Sequence, residues 1–310
     1  MEFKALIFDI KRNCSEDGPG IRTTVFFKGC PLSCAWCQNP EGKARDPRLA
    51  FISERCRPSE CQTPCLDVCE AACLYLGQTL QVDHSACTCC NRCIEVCPTN
   101  AFELVGYWTT LEELLYKVSI DIPFYLSTHG GVTLSGGEPT LQMEFIHHFV
   151  KELKGRGIHT ALETCGFFNL ETFGRQVLPY LDLIYFDLKL IDDSESRLHT
   201  GQSNQTILEN FVALSREAEI ALVPRIPLVP RITATKRNLT KISEFLRQHK
   251  VTTCSLIPYN PLWQDKLEPL GLTSKYKHSS FMTKAEEKAC LEYFYEADAS
   301  TANVGSLQLA

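Results

Sequence analysis

The chain has 310 residues, 44% of them apolar and 22% charged, with a net charge of −6 at pH 7. That length supports one large domain or two smaller ones, and an acidic balance without a basic tract excludes nucleic acid as an implied partner. No run of about 18 uninterrupted apolar residues occurs, so no membrane span is expected; Met1-Glu2-Phe3-Lys4-Ala5 lacks the apolar core of a signal peptide, which points to the cytoplasm.

Short apolar segments rich in β-branched and aromatic residues predict strands over 22–28, 131–135, 159–164, 183–187, 220–226 and 253–259. Helical periodicity covers 110–119, 142–154, 170–178, 206–216, 238–249 and 283–296. Regular strand–helix alternation implies an α/β fold, a parallel sheet with helices outside it. In parallel strand–helix folds chemistry gathers at the C-terminal ends of the strands. Residues 49–106 break the alternation and contain Pro58, Pro64 and Pro98. They are read as a small inserted domain, which divides the chain into 1–48, 49–106 and 107–310.

Cysteine usage is the anomaly. There are 17, and thirteen fall between Cys30 and Cys97. In a secreted protein such density would mean disulfides. Without an export signal, and at ferredoxin-like spacings, it means reduced thiols holding iron–sulfur clusters.

The first strand leads directly into Cys30-Pro-Leu-Ser-Cys34-Ala-Trp-Cys37. A [4Fe-4S] cluster normally takes four cysteines, so three thiolates leave one iron open. An open coordination position marks a catalytic site rather than a structural one. A zinc knuckle would instead pair Cys-x2-Cys with a matching second pair.

Cys87, Cys90, Cys93 and Cys97-Pro98 form Cys-x2-Cys-x2-Cys-x3-Cys-Pro. This is the bacterial ferredoxin run, whose fourth cysteine ligates the other cluster of a pair. Cys89 falls outside the spacing. Cys56, Cys61, Cys65, Cys69 and Cys73 are five candidates for the four positions of a partner motif. Cys69-x3-Cys73 matches Cys93-x3-Cys97, and 73–82 parallels 97–105. Cys73 is therefore expected to cross to Cys87, Cys90 and Cys93, while Cys97 completes a cluster held among Cys56, Cys61, Cys65 and Cys69. A competing reading makes Cys61, Cys65, Cys69 and Cys73 a ridge along one helix face.

Glu16-Asp17-Gly18-Pro19-Gly20-Ile21-Arg22 before the triplet and Gln38-Asn39-Pro40-Glu41 after it narrow the reading. With them the chain resembles radical S-adenosylmethionine (SAM) enzymes, and more narrowly the activating enzymes of glycyl radical enzymes. It is similar to the pyruvate formate-lyase-activating type with a ferredoxin-like insert, over 18–271. The resemblance implies a partial (β/α)6 barrel of the TIM type carrying an inserted two-cluster domain. It makes Cys30, Cys34 and Cys37 the catalytic cluster ligands, with SAM chelated at the open iron and two auxiliary [4Fe-4S] clusters in the insert.

It further implies that Gly136, Gly137 and Glu138, in Ser135-Gly136-Gly137-Glu138-Pro139, hold the SAM amino group; adjacent glycines allow close backbone approach. Glu163, Thr164 and Asp187 would offer hard oxygens to a monovalent cation. Lys189 would meet the SAM carboxylate as a point charge; a solvated Asp187–Lys189 pair is the plain alternative. Arg225 and Asn260 end the fifth and sixth strands near the cofactor, the latter where the family often has histidine. His199-Thr200-Gly201 with Ser203-Asn204 would shape a loop against the protein substrate. His129 stands where the family usually has a small residue.

The implied reaction is reductive cleavage of SAM to methionine and a 5′-deoxyadenosyl radical, which takes hydrogen from a backbone glycine of a partner enzyme. Electrons would come from a flavodoxin or ferredoxin-type donor, in an anaerobic or microaerobic setting. Two other classes compete: a radical SAM enzyme acting on another peptide or small molecule, and an electron carrier without catalysis. The incomplete triplet argues against the carrier.

Overall fold

A computed structural model describes residues 3–217, 220–295 and 308–309. Met1 and Glu2, and Glu296 at the end of the last predicted helix, lie outside them. Strand β1 (Lys4–Cys14) runs antiparallel to β2 (Arg22–Phe27). After the cysteine loop, β3 (Arg48–Phe51) opens the cysteine-rich segment. This holds α1 (Pro58–Cys61), α2 (Pro64–Asp67), a hairpin of β4 (Leu74–Leu76) and β5 (Leu80–Val82), and α3 (Arg92–Val96). It closes with β6 (Phe102–Val105), which pairs antiparallel with β3. The segment packs around its own small core of Leu49, Leu74, Leu80 and Phe102.

Strand β7 (Tyr107–Thr110) then returns to the outer side of β1. There follow α4 (Leu111–Ser119), α5 (Ile122–Thr128), β8 (Gly131–Gly136), α6 (Met143–Gly155), β9 (His159–Thr164) and α7 (Leu170–Gln176). Next come β10 (Leu183–Asp187), α8 (Asp193–Thr200), α9 (Gln205–Leu214), β11 (Ala221–Leu228) and α10 (Lys236–Gln248). The described chain ends with β12 (Ser255–Pro258), α11 (Lys284–Tyr295) and β13 (Gln308–Leu309). The large sheet runs β13-β12-β11-β10-β9-β8-β2-β1-β7. Within it β2, β8, β9, β10, β11 and β12 are parallel neighbours in chain order, so their C-terminal ends share one rim.

Local chemistry explains the elements. Every residue of β2 is buried, as expected of a strand covered on both faces. Thr110, Asn169, Asp192 and Thr235 cap their helices with side-chain oxygens, which satisfies otherwise unpaired first-turn N–H groups. Helix α6 turns Phe145, Ile146, Phe149, Val150 and Leu153 inward, the one-faced stripe of an amphipathic helix. The six predicted strands and six predicted helices are all present, with ends shifted by a few residues. His129 terminates α5 in the left-handed conformation at φ 55°; it is a helix end.

The Asp17-Gly18-Pro19-Gly20 turn lies at the sheet end opposite the cysteine triplet. Arg22 is fully buried there. It donates to Thr133 Oγ1 (2.6 Å), Val132 O (2.7 Å) and Pro19 O (3.1 Å). Asp17 accepts from Thr24 Oγ1 at 2.5 Å and, through its backbone oxygen, from Thr133 Oγ1 at 2.8 Å. This motif locks β2 to β8. Each hydrogen bond to a charged group contributes about 1.5 to 3 kcal/mol, so Arg22→Ala should cost roughly 3 kcal/mol or more of stability. Urea unfolding of the iron-free protein checks this; an unchanged midpoint would contradict it.

Candidate active site at the strand ends

The cysteine loop leaves β2 and is clamped from several sides. Gly29 N donates to Gly42 O at 2.7 Å and Cys30 N to Lys43 O at 3.2 Å. Ser33 N donates to Thr200 O at 2.7 Å and Ala35 N to His199 O at 3.0 Å. Ser274 Oγ reaches Ala35 O at 2.8 Å, and Lys266 Nζ reaches Gln38 O at 3.1 Å. The last carbonyls of a helix have no partner within it, and the end of α8 gives two of them to this loop. Gly201 closes α8 at φ 77°, the left-handed stop common at helix ends. The His199-Thr200-Gly201 stretch thus holds the cysteine loop, a role the sequence reading missed; the Thr-Gly helix-stop pattern was its available signal.

Cys34 is only 9% exposed, and Cys30 and Cys37 are half-buried. Burial pushes the Cys34 thiol up to about 12 and the Cys37 thiol up to about 11. Both are neutral unless a metal replaces the proton, so metal loading must release protons. Cys30 is held below the ordinary thiol value by the Cys165 thiol, which faces it, against the opposing effect of burial. Among the described residues no group of three or more His, Cys, Asp or Glu is arranged for a single metal ion. One buried and two half-buried cysteines on a single loop fit the donor set of a cluster, which spreads its thiolates over several irons.

Beside the loop, the strand ends carry a continuous polar chain. Ser135 Oγ donates to Glu163 Oε2 at 2.5 Å, and Arg225 Nη1 donates to Glu163 Oε1 at 2.5 Å. Arg225 Nε donates to Asp187 Oδ1 at 3.1 Å, and Lys189 Nζ to Asp187 Oδ2 at 2.7 Å. The Lys189 and Asp187 side chains are 15% and 25% exposed, so the solvated-pair reading is corrected. Burial alone would lower Lys189, but Asp187, Cys34 and Cys165 raise it. Burial would raise Asp187, but Lys189 and Arg225 pull it below the usual carboxylate value.

Glu138 differs from its expected role. It is fully buried and accepts from Thr140 N (3.2 Å), Thr140 Oγ1 (2.7 Å), Thr164 Oγ1 (3.0 Å) and Cys165 N (2.7 Å). Its carboxylate ties the end of β8 to the end of β9 and is not free to fix an ammonium group. The Thr164 hydroxyl is engaged in the same knot and accepts from Gly166 N at 3.0 Å. A Cβ at Gly136 or Gly137 would lie 2.4 Å from Phe27 O or 2.2 Å from Gly29 O, so both glycines are demanded by the approach of the end of β2 and the backbone that follows it. Asn260 Oδ1 accepts from Leu262 N at 2.8 Å and so caps the following turn, while its carbonyl accepts from Gln38 Nε2 at 3.1 Å.

A family model described as a 4Fe-4S single cluster domain matches residues 16–66 and 77–208. The isethionate sulfite-lyase activating enzyme of Nitratidesulfovibrio vulgaris is 36% identical, over 84% of this chain and 86% of its own length. The trans-4-hydroxy-L-proline dehydratase activating enzyme of Clostridioides difficile is 36% identical, over 91% of this chain and 93% of its own. The chain belongs to the glycyl radical enzyme activating enzymes of the radical SAM family. It is thus a radical SAM enzyme whose partner is a glycyl radical enzyme. The crystal structure of a radical SAM methyltransferase from Sphaerobacter thermophilus shares the fold, at TM-score 0.54 and 10% identity over 98% of this chain and 77% of that one. No helix among the described residues is long and apolar enough to cross a membrane.

The activase's cysteine-rich segment repeats itself at an offset of 28 residues. Thr63 and Asn91 are left-handed (φ 52° and 67°), as are Ala72 and Asn100 (φ 49° and 52°). Cys69 N donates to Leu66 O as Cys97 N does to Ile94 O, and β4 begins at Leu74 as β6 does at Phe102. Cys65 therefore corresponds to Cys93 and Cys69 to Cys97. This corrects the expected register, which set Cys73 opposite Cys97. The helical-ridge reading fails as well, because left-handed Gln62 and Thr63 separate α1 from α2.

The thiols fall into two neighbourhoods. Cys56, Cys61, Cys65 and Cys97 lie near one another. Cys69, Cys73, Cys87, Cys89, Cys90 and Cys93 ring a small cavity. Cys69 and Cys73 place their sulfurs 3.3 Å apart.

Proposed function

We propose that SAM binds across the C-terminal ends of β8 to β11, with its amino and carboxylate groups toward Cys30, Cys34 and Cys37. The six parallel strands then form a partial (β/α)6 barrel, whose open side admits the glycine-bearing loop of the partner. When bound, the reduced cluster and SAM supply the 5′-deoxyadenosyl radical that takes hydrogen from that glycine, while the protein supplies position and electrostatics. Lys189 and Arg225 offer positive charge to the SAM carboxylate. Glu163 and Asp187 offer oxygens to a monovalent cation. Glu138 and Thr164 hold the two strand ends in place, Gly136 and Gly137 let the backbone approach, and Asn260 fixes the cysteine loop through its carbonyl.

The domain division follows the same reading, with 1–48 and 107–310 forming the barrel and 49–106 the insert. The insert would hold two auxiliary [4Fe-4S] clusters, one on Cys56, Cys61, Cys65 and Cys97, the other on Cys69, Cys87, Cys90 and Cys93. They would pass electrons from a flavodoxin or ferredoxin-type donor.

The observation that carries the SAM placement is the half-buried chain from Ser135 to Lys189 beside the cysteine loop. Lys189→Ala should weaken SAM binding by roughly 1.5 to 3 kcal/mol, the range for a hydrogen bond to a charged group. That is about ten- to a hundredfold in Kd, measurable by calorimetry on the cluster-loaded protein. Unchanged affinity together with a large fall in Tm would assign Lys189 to folding instead.

A further inference from the structure

The segment that follows β12, residues 261–271, faces two ways. On one side it meets the cysteine loop: Lys266 Nζ donates to Gln38 O at 3.1 Å and pairs with Glu41 Oε1 at 3.0 Å. On the other it meets the start of the insert. Arg48 Nε donates to Leu270 O at 2.5 Å, Phe51 N to Pro269 O at 2.7 Å, and Ser53 Oγ to Glu268 Oε1 at 3.0 Å. Consecutive residues of the turn thus receive donors from the insert in reverse order. The turn is itself well tied. Gly271 N donates to Glu268 O at 2.9 Å and Leu272 N to Leu267 O at 2.9 Å, and Leu270 is buried. Gly271 closes it in the left-handed region at φ 60°, and a Cβ there would lie 2.0 Å from the His84 ring of the insert. Glycine is therefore required twice, by its backbone conformation and by the close approach of the insert.

Relative motion is the default for a small domain joined to a larger one, unless an interface fixes it. We infer that residues 268–271 are a dock that fixes the insert against the barrel, with Arg48 and Gly271 as positioning residues for electron delivery to the catalytic loop. This rests on the reading that clusters in the insert relay electrons to the cluster on Cys30, Cys34 and Cys37. Because the same segment carries the cysteine loop on Lys266, insert and loop share one support. Electron transfer between buried centres slows steeply as their separation grows. A dock that holds one separation therefore sets how fast the electron consumed in SAM cleavage arrives. Arg48 and Gly271 bond to none of the strand-end residues assigned to SAM, so they act on delivery and not on the cleavage itself.

The test compares cluster-loaded wild type, Arg48→Ala and Gly271→Ala. Hydrogen exchange read by mass spectrometry reports the dock, since a freed backbone N–H loses protection. Release of 5′-deoxyadenosine from SAM is then driven either by a reduced ferredoxin or by dithionite, a small reductant that reaches the catalytic cluster without the insert. Both variants should keep their iron, exchange faster across 48–53, and slow ferredoxin-driven release several-fold while dithionite-driven release stays at the wild-type rate. Unchanged exchange in both variants would overturn the proposal alone, and so would faster exchange with both rates unchanged. An equal fall in the two rates, or loss of iron in both variants, would assign these residues to folding and overturn it as well. Cys97→Ala, which should lose an auxiliary cluster, tests the premise separately. If it leaves ferredoxin-driven release unchanged, the relay reading fails and this proposal falls with it.

Discussion

Cys34→Ala should reduce the release of 5′-deoxyadenosine under dithionite to background, while leaving most of the iron in place. Cys34 is the most enclosed of the three loop thiols. The loop around it is fixed by backbone donors at Ser33 and Ala35, so no neighbouring cysteine of the loop can slide into its place. Counting four irons for each of three clusters, the wild-type chain should carry about twelve and the variant about eight. Retention of the wild-type cleavage rate would remove the catalytic cluster from Cys30, Cys34 and Cys37.

The second large effect separates the two registers of the insert. With the 28-residue repeat, Cys97→Ala and Cys69→Ala should each lose one auxiliary cluster, leaving about eight irons per chain. Cys73→Ala should stay near twelve, because Cys73 corresponds to Ala101 in the other half and not to Cys97. Activation of the partner should fall in the first two variants more than SAM binding does. The reverse pattern, in which Cys73→Ala loses iron and Cys69→Ala does not, would restore the register read from spacing alone. A wild-type plateau near four irons would rule out the auxiliary pair.

That register was not readable from the sequence for a physical reason. Cys65-x3-Cys69 and Cys69-x3-Cys73 have the same spacing as Cys93-x3-Cys97, so spacing cannot choose between them. The choice is made by the left-handed residues Thr63, Asn91, Ala72 and Asn100. A positive φ is uncommon for threonine and alanine, and composition does not announce it. The parallel strands were legible because each is a short apolar, β-branched run between turn residues. Strands β1 and β7 were not: β1 mixes charged residues into its length, and β7 shares residues with the N-cap of α4. Helix α8 buries only Ser196 and Thr200, so it carries no apolar stripe to read.

The candidate site divides the same way. The family resemblance pointed to Lys189, Asp187, Glu163 and Arg225, and the fold brings them into one chain. What pattern could not reveal is which oxygens are already engaged. Glu138 and Thr164 look available in a motif but bond each other and the neighbouring backbone in the structure.

As a glycyl radical enzyme activating enzyme, this chain installs a radical on a partner's glycine. The direct measurement mixes the reduced, cluster-loaded protein and SAM with the glycyl radical enzyme of the same cell, without oxygen, and records the electron paramagnetic resonance spectrum. The expected result is a SAM-dependent glycine-centred radical that grows in step with 5′-deoxyadenosine. Formation of 5′-deoxyadenosine with no radical on the partner would contradict it.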